Sequence, residues 1–326
     1  MNDKNCYDSI VDVIGHTPLV RLNHVTSDIA GEVFAKLEFL NPMGSSKDRI
    51  ARHMIAKAEK EGKIKKGDLI IENSSGNTAM GLALIAIQKG YRLKVVVRDR
   101  ISREKLDQLK ALGVEIHMVD STLPPESPDS YNNITPRLAR ETPNCFFPDQ
   151  HNNRDNNEAH YLGTGPEIWE QMDGRIDFFV AGIGTGGTVG GTARFLKEKD
   201  PRIQVVAVDP VGSVFYEYFH NKKMVKPGPY LLEGLGDEFL IRCADFSVID
   251  DMVQVTDREA FLTARELARR EGILAGGSSG AALWAVRQLA KKIQRPARIV
   301  TVFPDGASRY LSTIYNDDWL EAKGLK

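Results

Sequence analysis

Lys47 opens an amphipathic stretch, at the end of Asn41-Pro-Met-Gly-Ser-Ser-Lys-Asp-Arg49. A helix macrodipole disfavours a cation at this end, and that placement helps to lower a lysine pKa, as a Schiff-base amine requires. The segment equally fits a solvated lysine beside Asp48 and Arg49. Three other segments put small residues between an apolar run and an amphipathic one. Gly182-Ile-Gly-Thr-Gly-Gly-Thr188 lets backbone N–H groups converge at a helix start, which suits a phosphate, or it is a tight turn that needs glycine for packing. It matches GxGxxG through Gly182, Gly184 and Gly187, and a dinucleotide reading even finds an acid, Asp209, one strand later. Asn73-Ser-Ser-Gly-Asn-Thr78 adds hydroxyl and amide side chains, which fit a carboxylate or serve as a helix cap. Ala275-Gly-Gly-Ser-Ser-Gly-Ala281 aims a hydroxyl at a ligand or lets a helix pack closely on a strand.

The elements that must position these turns alternate along the chain. Strands are expected at 33–39, 69–72, 93–97, 115–119, 178–181, 205–208 and 299–303. Helices are expected at 46–61, 78–89, 102–112, 188–199, 257–271 and 279–292. That alternation predicts an α/β protein with parallel sheets covered on both faces. Residues 121–130 and 147–157 read as loops, the first rich in Pro and Ser and the second in Asn, and a lobe boundary is expected near 145–155. Residues 210–239 show no helical period and include Pro227-Gly228-Pro229, so they too are expected to be irregular.

The chain has 326 residues, enough for two lobes and a sizeable core. With 43 basic and 44 acidic side chains the net charge is −1, which leaves no electrostatic footprint for nucleic acid or an anionic membrane. The N-terminus lacks a signal-peptide pattern, and the longest apolar run, Leu82 to Ile87, is far too short to span a bilayer. Cys6, Cys145 and Cys243 lack metal or disulfide spacing. A cytoplasmic protein without a metal is expected.

Taken together and in order, the strings GSSKDR (44–49), NSSGNT (73–78), GTGGT (184–188), VDPVGSV (208–214), EGLGDEF (233–239) and GGSSG (276–280) resemble the fold-type II pyridoxal-phosphate enzymes. The likeness runs from Ile14-Gly-His-Thr-Pro-Leu19 to the tail at 315–325, and is greatest to the catalytic core of the cystathionine β-synthase and cysteine synthase family. It implies two lobes, each a mostly parallel twisted sheet flanked by helices. The smaller, mobile lobe would be 42–150; 1–41 and 151–326 would form the larger, cofactor-binding one.

The resemblance also implies roles. Lys47 would hold pyridoxal 5'-phosphate as an internal aldimine and then remove the substrate Cα proton. Gly184, Thr185, Gly186, Gly187 and Thr188 would bind the phosphate, and Asn77 the ring hydroxyl oxygen. Ser74, Ser75, Thr78 and Gln150 would bind the substrate α-carboxylate, with Gly234 also on the substrate side. Ser278 would face the ring nitrogen, where a neutral hydroxyl makes a milder electron sink than a carboxylate and favours loss of a β-substituent. His151 stands where the family commonly has tyrosine, and Asp237 where its animal members have tyrosine. Both positions line the second-substrate side in the family: His151 would protonate a departing hydroxyl or hold a carboxylate, and Asp237 would receive an amino group or orient a nucleophile, unless each is a loop residue that meets only water.

The implied activity is β-replacement on L-serine or an activated serine through an aminoacrylate, with homocysteine giving cystathionine as the favoured route. Cysteine synthesis from O-acetylserine or O-phosphoserine and sulfide is the alternative. Addition of an amine to give diaminopropionate precursors, and cysteine breakdown releasing sulfide, complete the set. The implied partners are small amino-acid substrates and a second copy of the chain in a homodimer.

Overall fold

The computed structural model describes residues 6–124 and 126–326. Its strands are β1 (Leu19–Leu22), β2 (Gly31–Leu37), β3 (Leu69–Asn73), β4 (Arg92–Arg98), β5 (Glu115–Val119), β6 (Cys145–Phe146), β7 (Phe178–Gly182), β8 (Gln204–Pro210), β9 (Asp251–Val255) and β10 (Ala297–Phe303). They form a six-stranded sheet in the order β1-β2-β10-β7-β8-β9 and a four-stranded sheet in the order β5-β4-β3-β6. Every pairing is parallel except β1 with β2. The expected α/β class holds, and all strands of the smaller sheet come from 69–146.

Both sheets are buried on two faces, which is why their strands read as unbroken apolar runs. In the larger sheet Val180, Val206 and Ile299 point into one apolar cluster, and Phe179, Val205 and Val300 into another. In the smaller sheet Ile70 and Val95 point one way, Ile71 and Val96 the other. The first large-sheet cluster is covered by α9 (Asp257–Glu271) and α10 (Gly277–Ala290), the second by α6 (Gly165–Gln171), α7 (Gly187–Lys199) and α8 (Phe215–Asn221). α1 (Lys47–Lys60), α2 (Asn77–Lys89) and α3 (Arg103–Ala111) cover one face of the smaller sheet, and α4 (Tyr131–Glu141) the other. α5 (Asp155–Ala159) leads through a π-helical turn, His160–Thr164, into α6, and α11 (Asp317–Ala322) ends the chain.

Four readings are corrected. The 210–239 segment is not wholly irregular, because Phe215–Asn221 is helical. Asp209 accepts the Tyr216 N–H at 3.0 Å, Ser213 accepts that of Phe215, and Phe215 packs edge-on against Phe246. Asp209 is therefore a buried cap, not a ribose ligand. The 147–157 segment is coil only as far as Arg154, where α5 begins. The strand expected at 33–39 begins at Gly31 and ends at Leu37, giving way to a 3-10 turn at Glu38–Leu40. The 121–130 loop is turn and coil as expected, although Pro125 lies outside the described residues, as do the first five residues of the N-terminus.

Candidate active site

Two of the turns lie at the carboxyl ends of parallel strands, 73–78 after β3 and 182–188 after β7, and residues 304–306 follow β10 at the same end; 275–281, expected after a strand, instead joins α9 to α10. Side chains and free helix N–H groups gather at that end of a parallel sheet. A cavity of about 350 Å³ lies there, and Lys47, Ser74, Ser75, Asn77 and Thr78 line it together with Gln150. His151, Gly184, Thr185, Gly234 and Asp237 line it as well. Gly186, Gly187, Thr188 and Ser278 do not reach its lining.

Lys47 is the first residue of α1, and burial pushes its pKa below the ordinary lysine value, against the pull of Asp305 and Glu38. Its Nζ lies 3.4 Å from Ser46 Oγ. Lys47 is half-buried and faces the cavity, while the neighbouring Asp48 and Arg49 are buried rather than solvated. Arg49 reaches Glu38 at 2.7 Å and Glu167 at 2.6 Å, and buried Lys36 pairs with Glu167 at 2.7 Å. Those charges fasten α1, and with it Lys47, to the segment after β2 and to α6.

Asn77 donates from Nδ2 to Asp305 Oδ2 and accepts at Oδ1 from Arg309, both at 2.8 Å. A carboxylate on one side and a guanidinium on the other dictate which way the amide points, and one amide N–H remains to be used. Asp305 also accepts from Tyr310 Oη at 2.7 Å, while its Oδ1 is buried without a partner. On the same turn, Thr78 donates to Gln150 at 2.5 Å, and Ser74 Oγ accepts from the N–H groups of Gly76 and Ala79.

The 184–188 loop is an uncapped helix start. Gly186, the N-cap of α7, has φ +81° and no side chain to cap with, so the first-turn N–H groups are free for an anion. A Cβ on Gly184 would strike the Gly234 carbonyl, one on Gly186 the Cys243 carbonyl, and one on Gly187 the Asn156 side chain. These glycines thus serve packing and leave the N–H groups bare at once. Asn156 donates to Thr185 Oγ1 at 3.0 Å, and His160, held neutral by burial with a pKa of about 3, lies 3.2 Å from Thr188 Oγ1. Ser278 sits in the first turn of α10, buried, and its hydroxyl has no partner among the described residues. A free helix N-terminus, an oriented amide with a spare donor, a half-buried amine of lowered pKa and an unengaged buried hydroxyl suit a phosphorylated aromatic aldehyde.

On the other wall His151 Nε2 and Asp237 Oδ2 are 3.9 Å apart. Burial lowers the histidine pKa, while the same cause raises Asp237 to about 6. Arg98, at the end of β4, stacks 4.7 Å over the Tyr131 ring in the same cavity.

Sequence reasoning missed Asp305, Arg309 and Tyr310 around Asn77, His160 and Asn156 beneath the loop, and Arg98. Asp305 and Arg98 alone had a sequence signal, since each is a polar residue that ends a strand-forming run.

The chain matches the family of pyridoxal-phosphate dependent enzymes over residues 10–305, and it belongs to that family. It is 43% identical to cystathionine beta-synthase of Apis mellifera over 97% of its own length and 63% of that relative's. Cystathionine beta-synthase of Dictyostelium discoideum is also 43% identical, with 64% of its length covered. The chain thus spans less than two thirds of these relatives. A cysteine synthase of Staphylococcus aureus (strain Mu50 / ATCC 700699) is 42% identical, with 95% of this chain and 98% of that one covered. Among solved structures, a hydrogen sulfide-producing enzyme from Fusobacterium nucleatum superposes with a TM-score of 0.86 at 36% identity, covering 94% of this chain and 99% of the other.

Proposed function

We propose that the protein catalyses β-replacement on L-serine or an activated serine, with homocysteine as nucleophile and cystathionine as product. One observation carries the reading: a single cavity combines a half-buried lysine whose pKa is lowered, a hydroxyl-rich turn at a helix start, and a facing His151–Asp237 pair. When bound, pyridoxal phosphate supplies the electron sink that makes a substrate Cα–H acidic. Gly184 to Thr188 hold its phosphate, Asn77 its ring hydroxyl oxygen and Ser278 its ring nitrogen. Lys47 anchors it and takes up the Cα proton. Ser74, Ser75, Thr78 and Gln150 grip the α-carboxylate, with Gly234 forming the facing wall. His151 delivers a proton to the departing hydroxyl, and Asp237 orients the nucleophile.

Residues 42–150 act in this proposal as the moving lobe, closing when Gln150 and the 73–78 turn engage the carboxylate. The homodimer implied by the resemblance and the cytoplasmic location expected from the sequence belong to the same proposal. The cysteine synthase reading is second, supported by the near-complete coverage of the Staphylococcus aureus relative.

The test is the visible absorption spectrum of the purified protein before and after L-serine. A yellow protein whose band moves to longer wavelength, and moves back when homocysteine is added, is the expected result. Discharge by sulfide but not by homocysteine would favour the second reading. A colourless protein that pyridoxal phosphate cannot reconstitute would overturn both. Lys47→Ala should abolish the band and turnover together, and unchanged turnover in that variant would sink the mechanism.

A further inference from the structure

Resting on the β-replacement reading, we propose that Arg98 is a specificity-determining residue that receives the carboxylate of the incoming nucleophile, so that the second substrate is itself an amino acid. Arg98 ends β4 and lines the cavity, half-buried. Its guanidinium carbon lies 4.7 Å from the centroid of the Tyr131 ring, yet among the described residues it meets no acceptor and no acid within ion-pair distance. Two neighbouring cations, by contrast, are engaged. Lys105 pairs with Glu233, and Arg309 donates to Asn77, to the Met43 carbonyl and to Gln108. Arg98 alone of these has its donors uncommitted, and a planar fork of five N–H groups matches a carboxylate.

Asp237 lines the same cavity, close enough for Arg98 to act on it electrostatically but not bonded to it. A fixed positive and a fixed negative group held apart in one cavity complement a zwitterion, with carboxylate at Arg98 and ammonium at Asp237. A leaving-group phosphate offers the same oxyanion chemistry to Arg98. It would, however, be repelled by Asp237 and by Glu238, which also lines the cavity. Free sulfide has nothing for either group to hold.

The experiment compares wild-type, Arg98→Gln and Arg98→Lys holoenzymes. L-serine is the first substrate, and the nucleophile is L-homocysteine, 3-aminopropane-1-thiol (which lacks the carboxylate) or sulfide. The expected result is a KM for homocysteine raised at least about tenfold in Arg98→Gln, the loss of one charge-assisted contact, and partly restored in Arg98→Lys. The KM values for the other two nucleophiles and the spectral response to serine should stay within about twofold, the scatter expected of an interaction not involved. An unmoved homocysteine KM overturns the proposal, as does wild-type turnover with sulfide but not with homocysteine. A defect that appears only when O-phosphoserine replaces serine reassigns Arg98 to the leaving group and overturns it too. A holoenzyme whose spectrum responds to none of serine, O-acetylserine and O-phosphoserine overturns the β-replacement reading, and this proposal with it.

Discussion

Asp237 shows how one half-buried charge sets both chemistry and stability. Burial raises its pKa from the usual 3.8 to about 6. Between those values the folded protein keeps a proton that the unfolded chain has released, so stability falls as pH rises through that window. Above pH 6 the accumulated cost is at most about 3 kcal/mol, since one pKa unit is about 1.4 kcal/mol. Asp237→Asn keeps an oxygen for the Glu238 N–H, which Asp237 accepts at 2.7 Å, and removes the charge. It should therefore raise Tm by a few degrees at pH 7.5 and leave it unchanged at pH 4, by calorimetry at both pH values. An equal rise at the two would show that the gain has nothing to do with ionisation. Lys47 is the mirror case: burial favours its neutral amine, the form that can attack a carbonyl or accept a proton.

α1 carries Lys47, and the orientation of that helix depends on a buried ion cluster. Glu38 is fully buried, and Arg49 neutralises it while reaching Glu167 on the other side. Removing one member leaves its partners charged in a low-dielectric interior, which typically costs about 3–5 kcal/mol. Arg49→Met should lose stability on that scale in urea denaturation and bind pyridoxal phosphate more weakly, because the lysine helix is no longer pinned. A loss below about 1 kcal/mol, the size of a surface pair, would mean that the cluster does not hold α1. The double variant Arg49→Met with Glu38→Met should recover part of the loss, since the stranded carboxylate goes with it.

Across the whole molecule, the two sheets meet at the cavity, and few side chains bridge it. Asn77 bonds Asp305 and Arg309, and Lys105 on α3 pairs with Glu233 beyond the larger sheet. The last of these crosses the cavity mouth from an almost buried lysine to a half-exposed acid. If lobe closure brings these residues together, Lys105→Ala should raise the KM for the first substrate several-fold, with kcat held. Salt, which weakens exposed pairs, should raise the wild-type KM and leave that of the variant flat. A wild-type KM indifferent to salt would remove Lys105 from the closure.

The long helices were legible because each carries its own period and stop: α9 has a capping box at Thr256 and Glu259, and α2 ends on a left-handed Gly90. The shorter elements were not. α8 has only seven residues and is capped by Asp209, α4 contains Pro136, and β6 is two residues that need β3 beside them. The same division runs through the site. Lys47 and the glycine- and serine-rich turns are contiguous strings whose chemistry is local, so sequence alone singled them out. Asn77 meets Asp305 and Arg309 across 228 and 232 positions, and His160 comes under Thr188 only through a π-helical turn. Whether Arg98 is a surface charge or a free donor in a cavity depends on where β4 lies in its sheet and on the packing of Tyr131. Residue spacing along a chain carries helix and strand periods; the meeting of distant charges is decided by sheet order and burial.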